Sequence, residues 1–152
     1  MMAAGVLVGI GSDAAAAAMP TLMELLQEGG DYRDSAIVSL GEAGELAAPA
    51  IPHLIEALDG EYQTPVHAAR ALAKIGAKNA VPALLELVHR GKVFQKLAAA
   101  EAIATLDPEE AKKMVPTLAS EARKEDHRYD RDKIRELVKK IDPASAAAHG
   151  LA

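Results

Sequence analysis

Ala68-Ala69-Arg70-Ala71-Leu72-Ala73-Lys74-Ile75-Gly76, followed after three residues by Ala80-Val81-Pro82-Ala83-Leu84-Leu85-Glu86-Leu87, decides the fold of this chain. The first half places apolar residues at helical spacing and ends on Gly76, where a helix terminus favours glycine. The second half opens with a proline and continues with Leu84, Leu87 and Val88, three and four residues apart. A proline just before such a run marks the first helical turn, where its missing N–H costs nothing. The stretch therefore reads as two short helices joined by a tight turn.

The same signature recurs. Met19-Pro20-Thr21-Leu22, Ile51-Pro52-His53-Leu54, Val81-Pro82-Ala83-Leu84 and Val115-Pro116-Thr117-Leu118 are spaced by 32, 30 and 34 residues. An apolar stretch precedes each proline: Val6–Gly11, Ala36–Gly41, Ala71–Gly76 and Ala102–Leu106. A fifth first-type helix follows in Lys133–Ile141, and Asp107-Pro108 and Asp142-Pro143 act as stops where glycine is missing. Helices are expected over 2–10, 18–28, 33–41, 49–59, 64–75, 80–90, 93–106, 110–124 and 130–141. One hairpin cannot bury its apolar face alone, whereas stacked neighbours can. Residues 1–142 are read as one repeat domain and 143–152 as a C-terminal tail.

Composition agrees. Half of the 152 residues are apolar, yet there are only one Phe, three Tyr and no Trp. Alanine favours helix, and an interior without large rings requires close helix contact through small side chains. The absence of cysteine excludes a disulfide framework, a thiolate metal site and a thiol nucleophile, and suits a reducing, cytoplasmic compartment. A formal charge of −5 argues against general nucleic-acid binding. No apolar run reaches the length of a membrane span, and Met1–Met19 lacks the basic start of a secretion signal.

The quoted stretch resembles a HEAT repeat, of the short HEAT-like type found in phycobilin lyase subunits and many bacterial proteins. The resemblance covers residues 5–142. It implies an all-α fold: a right-handed α-α superhelix, or solenoid, of about four helical hairpins with a C-terminal capping helix. The family often has a basic residue early in the first helix; Arg33, Lys96 and Arg131 match that place and Pro65 departs from it. The charged helix near Arg131–Ile141 suits a cap. The uncharged start before Asp13 suggests further repeats upstream or a covering partner.

Chemistry is sparse. Val6–Ala14 imitates a dinucleotide-binding G-x-G-x-x-A with Asp31 downstream. The same segment fits the repeat register, and no βαβ pattern follows. None of His53, His67, His89, His127 and His149 is followed by Glu, so the His-Glu signature of the di-iron hydroxylases within this family is missing. Neither cofactor nor metal is expected, and no catalytic residue emerges.

The expected function is a non-catalytic protein-interaction or scaffold module. Counted from each proline, positions +1, +4 and +8 form the polar face of the second helix. In HEAT proteins that helix lines the concave surface. The candidate partner-binding residues are Glu24, Glu56, Glu86 and Arg90. Residues 1–62 hold ten acidic and one basic side chain, and residues 63–152 hold twelve acidic and sixteen basic, a polarity able to orient a partner. The expected partner is another protein or peptide, with no nucleic acid and no membrane, or else upstream repeats of the same chain. An accessory subunit or lyase acting on a bilin, and a structural segment of a larger protein, are the alternatives. Tyr32, Tyr62, Phe94 and Tyr129 all fall near first-helix starts. They are expected to plug gaps between repeats; the alternative is an aromatic ridge for docking a peptide.

Overall fold

The computed structural model describes residues 12–124 and 128–150. The expected helix over 2–10, its glycine terminus at Gly11 and the dinucleotide-like segment up to Gly11 lie outside those residues, as does His127. Among the described residues every regular element is helical, so the fold is all-α. The chain divides into two compact units, Met1–Ala83 and Leu84–Ala152.

The first unit contains α1 (Ser12–Glu28), α2 (Arg33–Glu42), a 3-10 segment (Gly44–Ala50), α3 (Ile51–Ala57), α4 (Thr64–Ile75) and a 3-10 turn (Lys78–Ala80). Helix α5 (Val81–Arg90) begins there and crosses the boundary. Helix α2 packs between α1 and α4, and α3 lies against α4. Leu22 and Leu26 of α1, Ile37 and Leu40 of α2, Leu54 of α3 and Leu72 of α4 are almost fully buried. Between them the contacts are methyl groups: Ala47, Ala50, Ala57, Ala68, Ala69 and Ala80 have no exposed surface.

Two glycines show how the sequence sets this packing. At Gly76 the backbone is left-handed, with φ +83°, a region costing other residues about 1–2 kcal/mol. The amides of Gly76 and Ala77 turn back to the carbonyls of Ala73 and Leu72 at 3.2 and 3.0 Å, closing α4 in a Schellman turn with Ala77 buried. Gly41 serves close approach instead. A Cβ there would lie 3.0 Å from the Cα and 3.1 Å from the Cβ of Ala71, inside the roughly 3.5–4.0 Å optimum for carbon pairs. The α2–α4 contact depends on its missing side chain. Where α2 and α4 begin, the Thr64 hydroxyl donates to Asp34 Oδ1 at 2.7 Å.

The second unit contains the rest of α5, α6 (Val93–Leu106), α7 (Pro108–Lys113), α8 (Val115–Lys124), α9 (Arg128–Ile141) and α10 (Pro143–Ala148). Helix α9 packs on α8 and α6, and α10 on α9. Helix α6 buries residues around most of its circumference, including Ala98, Ala99, Ala100, Ala102 and Ile103. The Lys96 ammonium of α6 donates to Glu121 of α8 at 3.0 Å, with both side chains largely shielded, 16% and 23% exposed.

The element boundaries depart from sequence expectation in four places. Helix α1 is already helical at Ser12, the first described residue, well before residue 18, so Pro20 lies inside it. The alanine run Ala14–Ala18 has enough helix propensity to extend the helix through the proline. In the second repeat the segment before Pro52 is 3-10, with Pro49 inside it. The helix expected over 110–124 is two helices interrupted at Met114. Beyond residue 142, Pro143–Ala148 is helical and buries Ala146. Asp107 and Asp142 begin α7 and α10 as much as they end the preceding helices: their carboxylates accept from the amides of Glu110 at 3.1 Å and Ser145 at 3.3 Å.

Candidate partner-binding surface

The proline-anchored helices carry a fixed register. Two residues after the proline stand Leu22, Leu54, Leu84 and Leu118, and six residues after it Leu26, Leu58, Val88 and Ala122; all eight are buried. Burial of these positions turns the +4 position outward, since it lies across the helix from them. Glu24, Glu56 and Glu86 are accordingly exposed, as is Arg90 at position +8. The fourth copy differs: Ser120 replaces the glutamate and is half-buried.

In the first unit this face is acidic, with Glu24 and Glu28 on α1 and Glu56 on α3. The Gln27 side-chain amide lies 3.4 Å from His53 Nε2, joining α1 to α3, and His53 Nδ1 stands 3.9 Å from Glu56. The structure thus brings Glu56 beside His53 on one polar face with Gln27. In the second unit the corresponding face carries Glu86 and Arg90, four residues apart on α5, and Lys124 at the end of α8.

The aromatic residues do not plug the repeats. Tyr32, Tyr62, Phe94 and Tyr129 are 53%, 73%, 37% and 71% exposed. Tyr62 takes a left-handed φ of 52°, and the Lys133 ammonium stands 5.5 Å from the Tyr129 ring centre.

Sequence reasoning missed a groove on the first helices of the first unit. It has a volume of about 290 Å³ and lies between α2 and α4, lined by Val38, Gly41, His67, Arg70, Ala71 and Lys74. Its only sequence signal is the spacing of His67, Arg70 and Lys74, which share one side of α4. Lys74 forms an ion pair with Glu42.

Among the described residues no group of three or more His, Asp or Glu is placed to hold a metal ion, and no helix is long and apolar enough to cross a membrane. Among the described residues two ionisable groups depart from their ordinary values. The Ser145 hydroxyl and amide hold the Asp142 carboxyl below the usual range, and the Glu110 carboxylate raises Lys113. The first is a helix cap and the second an ion pair three residues apart on one helix; neither is a reactive pair.

Comparison with known families gives two matches. The family model of HEAT repeats matches residues 51–139, more than half of the chain. The model of the PBS lyase HEAT-like repeat matches residues 32–60. No curated protein and no solved structure gives a significant match.

Proposed function

Because the chain belongs to the HEAT-repeat family, whose members generally mediate protein interaction or scaffolding, we propose that it is a non-catalytic interaction module. Its partner is another protein or peptide, docked on the polar faces of the proline-anchored helices. Glu24 and Glu56 are the contact residues in the first unit, and Glu86 and Arg90 those in the second. The observation carrying this reading is the repeated register: each of the first three copies buries its +2 and +6 residues and presents glutamate at +4 to solvent. A glutamate recurring at one position of each copy can repeat the same contact along a docking surface. Rim carboxylates of this kind act mainly on association rate and orientation. The module is read as cytoplasmic, in keeping with its cysteine-free sequence.

The test is a pull-down from source lysate with two baits, the parent chain and the Glu24→Lys, Glu56→Lys, Glu86→Lys variant. A protein retained by the parent and lost by the variant is the expected result. Equal retention by both baits would move the partner off this face. Retention by neither would favour a structural segment of a larger protein.

The match of residues 32–60 to the lyase-type repeat supports a second reading, an accessory subunit or lyase handling a bilin. Co-expression with a bilin would then yield coloured protein.

A further inference from the structure

The groove between α2 and α4 has the chemistry of a second, separate binding site. Gly41 and Ala71 bring the two backbones together at its floor. On one wall stands Val38, 42% exposed, which offers an aliphatic surface to a ligand. The other wall is a cationic edge of α4: His67, Arg70 and Lys74. Lys74 is engaged by Glu42. Arg70 is exposed and has no ion-pair or hydrogen-bond partner among the described residues. This is conspicuous because residues 1–83 hold ten acidic and only four basic side chains, Arg33, Arg70, Lys74 and Lys78. An unpaired guanidinium beside an exposed aliphatic, within an otherwise acidic unit, complements a ligand that carries both a carboxylate and a small apolar group.

We propose that this groove docks a short acidic peptide segment of a partner protein. One glutamate or aspartate carboxylate of the peptide is held by the Arg70 fork, with His67 beside it. The neighbouring aliphatic side chain of the peptide rests on Val38 and Ala71. The acidic surplus of the surrounding unit repels every anion, so the peptide is anchored by one carboxylate rather than a run of them, and a long polyanion such as nucleic acid is disfavoured more strongly. The site lies on the first helices and does not rest on the second-helix reading.

Selection of a phage-displayed random dodecapeptide library on the full chain tests it, followed by fluorescence polarisation of the enriched peptides. Enriched sequences are expected to pair Asp or Glu with Leu, Ile or Val. Arg70→Glu and Val38→Glu should each weaken them by roughly tenfold or more, the first by losing one charge-assisted contact and the second by replacing the apolar seat with a carboxylate that repels the peptide's own. Both positions are exposed, so neither substitution threatens the core, and helix content by circular dichroism checks this. A Glu24→Lys, Glu56→Lys variant should bind the same peptides as the parent does. The proposal is overturned if acidic–aliphatic sequences are not enriched, or if Arg70→Glu leaves their affinity unchanged. Loss of binding in the Glu24→Lys, Glu56→Lys variant instead would transfer the peptides to the second helices. A 20-nucleotide single strand that displaces the peptides at comparable concentration would also overturn the peptide assignment.

Discussion

Replacing Gly41 by alanine sets two effects of known sign against each other. Gly41 lies within α2, and exchanging glycine for alanine inside a helix ordinarily stabilises by about 1 kcal/mol. Here the new methyl would meet Ala71 Cα at 3.0 Å and Ala71 Cβ at 3.1 Å. One of those atoms is backbone, so no rotamer change relieves the contact; α2 and α4 must give by a few tenths of an ångström. Overpacking of this kind costs about 1–3 kcal/mol. The cost exceeds the gain, and Gly41→Ala should destabilise by about 1 kcal/mol net. Gly41→Val, with two further carbons, should cost about 3 kcal/mol. Urea unfolding followed by far-ultraviolet circular dichroism measures both, and amide exchange in α2 and α4 localises the loss. Removing the facing methyl with Ala71→Gly should cost less in the Gly41→Ala background than in the parent. A Gly41→Ala protein more stable than the parent by about 1 kcal/mol would show that propensity, not close approach, governs this position, and would refute the packing argument.

Other positions give sharper single outcomes. Gly76→Ala forces a Cβ into a left-handed turn at φ +83° and should cost about 1–2 kcal/mol in the same unfolding assay; an unchanged midpoint would contradict it. The shielded Lys96–Glu121 pair should give a coupling of about 1 kcal/mol in a double-mutant cycle, above the few tenths typical of open surface pairs. A coupling near zero would mean solvent screens it fully. The Asp142 carboxyl is depressed below its ordinary 3.8 by hydrogen bonds from Ser145, so its contribution to stability is present above that value and lost as the pH falls through the folded pKa. In carboxyl-detected NMR, Ser145→Ala should raise the Asp142 midpoint; no movement would remove Ser145 as the cause.

The register of the helices was legible because burial and sequence pattern share one period. Leucine at +2 after each proline predicts an inward position, and Leu22, Leu54, Leu84 and Leu118 are all buried. That same register puts Glu24, Glu56 and Glu86 in solvent. Proline ordinarily signals the opening of a helix, but the alanines before Pro20 are strong enough helix formers to carry α1 through it. The split at Met114 has a signal in Val115-Pro116, a proline in a first helical turn, but the expected helix over 110–124 runs straight through it. The groove of Val38, Arg70 and Lys74 was not legible for a deeper reason: it exists only because Gly41 meets Ala71 across thirty positions of sequence. Likewise, nothing local to Lys96 names Glu121 as its partner. The aromatic residues were misplaced because their spacing was clear but the room available to them was not.

The methyl-group interior has a consequence for how such a chain can diversify. At Ala47, Ala50, Ala68, Ala69, Ala80 and Ala99 the buried side chain is already the smallest that still has a Cβ. Drift there has little room in either direction: a larger residue displaces a helix, and glycine loosens one. Substitution is thereby channelled to the outward positions, where glutamate, serine, arginine or tyrosine are equally compatible with folding. The interior acts as a constant frame and the surface as its variable text, so closely similar repeats can acquire unrelated partners without renegotiating their fold.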